Sequence, residues 1–385
     1  MRRVRLRRIA DAAFVAMLAM VCGGLLVLPT GFERPPDPAT RRARARVRSA
    51  DDDGLFRHQI VRTGTQRLEL ELLDGPHRGR HTEAVNHLLG KLELDEFYAP
   101  GDSVLVEYTL RDGQITAAVV RGHYRLRAEL ILAAIFCVLL VGVAGWTGVK
   151  SILSFAFAAL MIWKVMAPAF LRGWDPVTTA LAVVAALTGA ISFLVGGLTR
   201  KGLTAFLGAA LGLGLTAVLA GVFTTAFRIH GAVRPFAETL LYSGFAGLDL
   251  TRIFIAGVFL AASGAVMDLA MDVAAAMDEI KAKRPDIGLL AHMGSGLRVG
   301  RPVIGTMTTT LLLAYSGGYT TMLMLFISQG VPPENVLNLN YVAAAVLNTL
   351  VGSFGLVTVA PFTAMVGAVI YRSRVSTASA VCGRA

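Results

Sequence analysis

Two aspartates interrupt an apolar segment of helix length, Phe254–Asp272. Placing a carboxylate in hydrocarbon costs at least about 2.5–3.5 kcal/mol on insertion scales, so such residues usually face a bundle interior or a water-filled path. Asp268 and Asp272 are four residues apart, which places them on one helix face. If Ile253–Ala274 is the span, Asp268 lies about 8 Å from the midplane and Asp272 about 13 Å, near the interface. Asp268 is therefore the costly residue and the first candidate for coupling to a proton or cation.

Polar side chains recur at similar depth in the neighbouring apolar segments. They are Thr309, Thr310, Thr358 and Thr363, whereas Ser263 lies near the midplane and Asn348 in the outer half of the last apolar stretch. Hydroxyls and a carboxylate at one level could ligate a cation or relay a proton. Threonines in membrane helices also commonly bond to their own backbone or connect two helices. We favour the structural role for the threonines alone and a functional role for Asp268. The candidate substrate or ion site comprises Asp268, Asp272, Ser263, Thr306, Thr309, Thr310 and Asn348, and whether it binds a metal is left open.

Enzyme chemistry is not indicated. The chain contains no G-x-S-x-G motif, and two aspartates four apart on one helix cannot form a facing catalytic dyad. His77, His81 and His87 near Glu83 could bind a metal, but such surface histidines more often bind nothing. We therefore expect neither an enzyme, and in particular no intramembrane hydrolase, nor a cofactor.

A glycine-rich segment, Ile287–Arg301, separates two of the apolar stretches and contains Gly294–Gly296 near Arg298. It could hold an anion, yet it lacks the GK[ST] of a P-loop. A positive-inside role for its arginines is favoured. We expect the segment to be interfacial or re-entrant.

Composition indicates a membrane protein. The 385 residues are 55% hydrophobic and 16% charged, whereas a soluble domain averages about 25% charged residues. The net charge of +11 comes mostly from arginines at segment ends rather than on one face. This favours orientation in a bilayer over a nucleic-acid partner. The three cysteines have no paired or metal-binding spacing.

Eight apolar stretches are long enough to cross a bilayer. They are Ala10–Leu28, Ala128–Gly145, Ser151–Leu171, Val177–Leu198, Leu203–Phe223, Ile253–Ala274, Pro302–Ile327 and Val342–Tyr371, the last containing Pro361 as an expected kink. Short-loop lysines and arginines place both termini in the cytoplasm, with the loop at Arg228–Arg234 as a mild exception. An uncleaved N-terminal anchor is favoured over a signal peptide. Lys164 is expected to reach outward beside Trp163, with pairing to Asp268 or Asp249 as the alternative.

Residues 31–127 differ from the rest of the chain. An arginine- and proline-rich linker, Arg34–Arg48, reads as disordered. Alternating segments follow at 67–73, 103–110 and 114–120, the last two flanking the hairpin signal Arg111-Asp-Gly. This pattern predicts a small all-β domain, OB-like or SH3-like with five strands, outside the membrane.

Three segments resemble the bacterial YibE/F-like family of integral membrane proteins: Ala262–Asp272, Gly296–Tyr315 and Gly352–Pro361. Thr309 stands where that family's Gly-Thr-Met-Thr-Asn-Thr pattern has asparagine. The resemblance implies a multi-pass protein of the bacterial inner (plasma) membrane with an exported N-terminal domain. It implies no particular activity.

The sequence therefore predicts a polytopic α-helical membrane protein of about eight spans with a small exported all-β domain between the first two. The expected parts are an anchor at 1–30, the β domain at 31–127, a bundle at 128–371 and a cytoplasmic tail at 372–385. Its expected partners are the lipid bilayer and a small solute or ion, with a homo-oligomer allowed. The leading hypothesis is a transporter coupled through Asp268. The alternative is an assembly or sensing component whose exported domain binds a partner.

Overall fold

A computed structural model of the chain describes residues 2–33, 39–92, 94–112 and 114–372, with side chains from residue 9 onward. The basic side chains at positions 2–8, the linker residues 34–38 and the tail from 373 lie outside the described residues. The chain divides into two compact units, one of residues 33–143 and one of residues 1–32 with 144–385. We call them the β unit and the helical unit.

The β unit contains six strands rather than the five expected. They are β1 (Thr40–Asp51), β2 (Leu55–His58), β3 (Val61–Leu72), β4 (His81–Leu89), β5 (Ser103–Arg111) and β6 (Gln114–His123). Their order is β1-β5-β6-β4-β3-β2, and an added pairing of β1 with β3 closes the sheet into a small barrel. The hairpin between β5 and β6 is confirmed, with Arg111 opposite Gln114.

Strand β1 comes from the segment expected to be a disordered linker, which is the main correction in this unit. β1 covers most of the arginine-rich stretch, with Ala43, Ala45 and Val47 buried in the barrel core. Arginines alternate with these small residues, so the stretch is amphipathic with the period of a strand. The high arginine content of one strand face led to the prediction of disorder, although the opposite face is apolar.

One carboxylate, Glu107, lies between two of the arginines on the barrel surface. It accepts hydrogen bonds from Arg121 and Arg42, each at 3.0 Å. These bonds, the one from Arg121 first, lower the pKa of Glu107 below its ordinary value of 4.5. The ion pairs connect strands β1, β5 and β6.

One helix precedes the six strands in the sequence, and the others come after them. They are α1 (Arg2–Val27), α2 (Leu126–Leu160), a π-helical turn (Met161–Met166), α3 (Ala167–Leu171), α4 (Pro176–Gly196), α5 (Arg200–Ala226), a short 3₁₀ turn (Gly231–Val233), α6 (Ala237–Tyr242), α7 (Leu250–Lys283), α8 (Leu289–Gly317), α9 (Thr320–Ser328), α10 (Pro333–Asn338) and α11 (Asn340–Ile370).

Six helices in the described chain are long and apolar enough to cross a membrane, or seven if a bent pair counts as one span. This number is lower than the eight spans predicted because the second and third predicted spans form one helical run, Leu126–Leu171. Only Gly145 leaves helical geometry there, at φ 56°. No proline interrupts residues 146–150, so the helix resumes at once. At 46 residues the run is long enough for two crossings of about 20 residues each.

The glycine-rich segment expected to be interfacial is instead the first half of α8. Two of its glycines, Gly296 and Gly300, are packing positions, since a Cβ at Gly296 would lie 2.9 Å from the Met277 sulfur. A Cβ at Gly300 would lie 2.9 Å from the Ala360 methyl. The helix then continues through Pro302 and bends by 66° into α9. The seventh predicted span therefore corresponds to a broken helix.

Helices α5 and α11 pack antiparallel through a reciprocal set of small residues. A Cβ at Gly208 of α5 would overlap Thr363 of α11, and a Cβ at Gly355 of α11 would overlap Thr216 of α5. Each helix thus supplies one glycine that receives a threonine from the other. Close approach of two helices through small residues is typical of membrane helix pairs.

Charged groups tie α1 to the rest of the helical unit. Lys150 lies 2.6 Å from the Asp11 carboxylate and 3.1 Å from the Leu194 carbonyl. Lys164 donates to the carbonyl of Leu28 at 3.0 Å, beyond the last turn of α1. The alternative pairing of Lys164 with an aspartate is therefore wrong.

Candidate functional site

One face of α7 remains uncovered by the rest of the described chain, and both aspartates lie on it. Its residues are Gly257, Ala261, Gly264, Asp268 and Asp272, of which Gly257 is half-buried and the others are exposed. The opposite face packs against α4, α5, α8 and α11. We call this surface the aspartate face.

The aspartate face carries small residues between the two carboxylates and the start of α7. A Cβ added at Gly257 or Gly264 would meet no atom within 4 Å. A helix face in contact with lipid tails has no physical reason to place carboxylates there, since each costs several kcal/mol on insertion scales. Small residues also let a backbone be approached closely. The face is therefore suited to a polar occupant rather than to lipid.

The register between α7 and α8 shows which residues share a level with the aspartates. Gly300 lies against Val273, and Gly296 lies against Met277. The two helices are antiparallel, so extending this register places Asp268 level with position 305. Asp272 is level with position 301, one helical turn below.

The same register gives the levels of the predicted hydroxyls of α8. Thr306 is one residue above the level of Asp268, and Thr309 is one turn above, about 6 Å along the axis. Thr306, Thr309 and Thr310 are all exposed on α8. Each hydroxyl donates to its own backbone, to Val303, Gly305 and Thr306 respectively, at 3.0–3.4 Å. Their protons are therefore used within the helix, while their oxygen lone pairs stay available.

Ser263 does not belong with the aspartates. It is buried on the packed side of α7, and its hydroxyl donates to the Leu260 carbonyl at 2.7 Å. Five residues separate it from Asp268, which is about 140° around the helix. Ser263 is thus placed as a packing residue.

Asn348 is buried in α11, with 6% of its surface exposed, and its side-chain oxygen Oδ1 has no hydrogen-bond partner within the described part of the chain. It lines a cavity of about 560 Å³ together with Tyr315 of α8, whose hydroxyl is also buried and unpartnered there. The walls come from Gly257 and Ala261 of α7. We call this the Arg234 cavity, after its one charged lining residue.

Arg234 enters the cavity from the loop that precedes α6. Its guanidinium lies 5.2 Å from the centre of the Phe254 ring, a cation–π contact. Among the described residues it forms no ion pair. Gly231 fixes the loop against the start of α7, since a Cβ there would overlap the Leu250 carbonyl. The arginine is therefore held in place by packing, with its hydrogen-bond donors free for a ligand.

The cavity and the aspartates lie on one continuous surface. Gly257 and Ala261 line the cavity, and Gly264 continues the same helix face toward Asp268. At 1.5 Å per residue, Asp268 is about 10 Å beyond Ala261 and Asp272 about 16 Å. The molecule thus presents a cationic and polar pocket that opens onto a helix face ending in two carboxylates.

Sequence reasoning missed Arg234 and Tyr315. A signal for the first was present, since the loop at 228–234 departs from the positive-inside pattern. An arginine with a function of its own need not obey that pattern. Tyr315 carried no comparable signal.

Other candidates are placed elsewhere in the chain. No group of three metal-ligating side chains occurs in the residues that the structure describes, including the histidines of the β unit. His292 is buried and bonds through Nε2 to the Met277 carbonyl at 2.9 Å. Of the glycines near it, Gly296 packs against Met277 and Ala364, whereas a Cβ at Gly294 would meet no atom within 4 Å.

Comparison with known proteins identifies the family. No curated protein and no solved structure gives a significant match. The family model described as YibE/F-like protein matches residues 132–373, which includes the aspartate face and the Arg234 cavity. This match covers more than half of the chain, and the chain therefore belongs to the YibE/F-like protein family.

Proposed function

We propose that the protein is a membrane transporter whose substrate moves along the aspartate face, with Asp268 as the group that binds a coupling proton or cation. The observation that carries the proposal is the continuity of the Arg234 cavity with that face. A solute that enters the cavity meets a surface without large side chains and then a carboxylate at membrane depth. Ionisable residues in such positions commonly mark substrate and ion pathways.

The proposed topology places both termini in the cytoplasm of a bacterium, in its plasma membrane. Residues 31–127 are then extracytoplasmic, and α7 runs inward from its first residue, Leu250. The Arg234 cavity belongs to the outer half of this helix and Asp268 to the inner half. Short-loop charge supports this orientation.

Asp268 suits the coupling role better than its neighbours for a geometric reason. It lies level with a glycine of α8, Gly305, where an added Cβ would meet no atom within 4 Å. An ion has room there, and the Thr306 and Thr309 oxygens lie within about one turn. Asp272 is level with Arg301, closer to the end of the apolar segment.

The test is thermal unfolding of the purified full-length protein in detergent, between pH 5 and pH 8 and with Na⁺, K⁺, Li⁺, Mg²⁺ and Mn²⁺. A ligand that binds only the folded form raises its apparent stability. We expect one ion, or a pH step, to stabilise the wild type and to leave Asp268→Asn unaffected. The matched control is Glu279→Gln, an exposed carboxylate on the same helix whose ion pair with Lys283 is worth little.

The proposal is wrong if Asp268→Asn responds to every ion and pH step as the wild type does. It is equally wrong if Glu279→Gln removes the response. Where a response is found, the same variants in proteoliposomes should show loss of ion-dependent flux for Asp268→Asn alone.

A further inference from the structure

We infer that the Arg234 cavity is a binding site for an organic anion, with an acidic head group at Arg234 and an apolar body against the walls. This inference rests on the proposed function in one respect, since it names the substrate class of the same pathway. The binding itself is tested without any measurement of transport.

Three polar groups converge in the cavity, and none is satisfied within the described chain. Arg234 presents guanidinium donors beside the Phe254 ring. The Tyr315 hydroxyl is buried without a partner and can donate to an oxyanion. Asn348 Oδ1 is also unpartnered there, but an amide oxygen only accepts hydrogen bonds, so on this residue the amide N–H₂ group is the one that can donate to an oxyanion. Buried polar groups are hydrogen-bonded in the large majority of cases, so an unpartnered hydroxyl and amide beside the Arg234 guanidinium indicate a binding site for a polar ligand.

The remaining walls select the rest of the ligand. Phe254, Ile253, Leu250 and Leu240 supply apolar surface, and none of the described residues that line the cavity carries a carboxylate. A volume of about 560 Å³ is within the range of about 300–1,000 Å³ usual for small-molecule sites. An inorganic anion would leave most of this space and surface unused. A carboxylate, phosphate or similar head on an apolar body satisfies both parts.

Charge explains why the site lies on the same surface as Asp268. Moving an organic anion alone through the bilayer is unfavourable, because an isolated charge loses its hydration. An anion on Arg234 together with one proton on Asp268 forms an electrically neutral load. The two sites are therefore complementary.

The first experiment is titration of the full-length protein with benzoate, followed by thermal unfolding and by calorimetry. Benzamide, which has the same shape and no charge, is the matched ligand control. We expect benzoate to bind saturably and benzamide not to bind. Arg234→Gln should weaken benzoate binding at least tenfold, and Arg234→Lys should weaken it less because the charge is kept.

Two further variants separate binding from folding. Tyr315→Phe removes only the hydroxyl and should weaken benzoate binding several-fold without loss of stability. Arg228→Gln removes an equal charge from the same loop, at a residue that does not line the cavity, and should bind benzoate as the wild type does.

A phospholipid could supply the same chemistry as a soluble acid. Benzoate titration is therefore repeated in nanodiscs of phosphatidylglycerol and of phosphatidylcholine. Equal binding in both assigns the cavity to a soluble acid, and loss of binding in phosphatidylglycerol alone assigns it to an anionic lipid head.

The inference is overturned if Arg234→Gln binds benzoate as tightly as the wild type does. It is also overturned if the wild type binds no benzoate in detergent or in phosphatidylcholine. Benzoate binding that depends on Arg234, combined with an Asp268→Asn protein that responds normally to ions, would keep the cavity assignment and reject the coupling proposal.

Discussion

Replacing Asn348 by leucine should stabilise the protein and at the same time weaken anion binding, because it removes the amide N–H₂ donor. The side chain is 6% exposed, and its oxygen has no partner within the described residues. Burying an amide without its hydrogen bonds costs about 1–3 kcal/mol in protein mutational data. Leucine has a similar size and no polar atom, so Asn348→Leu removes that cost and keeps the packing. We expect a gain of about 1–2 kcal/mol in the free energy of unfolding.

The assay is thermal unfolding of the full-length protein in detergent without added ligand. A change of 1 kcal/mol shifts the midpoint by about 2–4 °C in domains of about 150–250 residues, so the expected rise is a few degrees. The control is Thr349→Val on the adjacent residue, whose hydroxyl donates to the Ala345 carbonyl at 2.9 Å. That variant loses a made hydrogen bond and should be slightly destabilised.

The result that would refute this reasoning is an Asn348→Leu protein less stable than the wild type by 1 kcal/mol or more. Asn348 would then be a packing residue, and its unpartnered oxygen would not indicate a ligand site. Higher stability combined with unchanged benzoate binding would remove Asn348 from the site while leaving Arg234 in it.

Three other expectations follow from contacts described above. Thr363→Val should be neutral or stabilising, because the buried Thr363 hydroxyl has no partner among the described residues. Thr216→Val should cost about 1 kcal/mol, because its buried hydroxyl donates to the Gly212 carbonyl at 2.8 Å. Chemical denaturation compares the free energies of unfolding of the two variants with that of the wild type. The lowered pKa of Glu107 contributes stability that is present above its unfolded pKa and is lost as pH falls through its folded pKa. As the pH is lowered past about 4.5, the melting temperature of the β unit in the full chain, followed by circular dichroism, should therefore decrease, and it should decrease less in Glu107→Gln. Gly231→Ala should displace the arginine loop and abolish benzoate binding, measured by calorimetry, while Gly221→Ala, where a Cβ has open space, should not.

The location of the aspartates on one helix face could be predicted because helical periodicity fixes it. Whether that face is covered could not, since burial depends on which helices pack against α7. The same dependence explains Ser263, which shares the depth of the site but lies on the packed side. Spacing along one helix predicts on which face a residue lies, and packing between helices decides whether that face is buried or exposed.

Helix boundaries were predictable where apolar runs end at charges, as in α4 and α5. Helix boundaries were not predictable at glycines, because a glycine can either interrupt a helix or continue it. Gly145 breaks helical geometry in the middle of a helix, whereas Gly296 and Gly300 continue α8 and bring it close to its neighbours. Local sequence does not distinguish these uses, because both follow from the absence of a side chain.

The reciprocal glycine–threonine packing of α5 and α11 limits how the protein can move. Sliding one helix along the other by a turn would take Thr216 out of its contact with Gly355 and place it level with Val359 or Val351. Packed interfaces of this kind have discrete arrangements rather than a continuous range. We therefore expect α5 and α11 to move as one rigid pair. If the proposed pathway opens to the two sides of the membrane in turn, other helices would move relative to this pair. The bend of 66° between α8 and α9 makes that end of α8 the natural moving part.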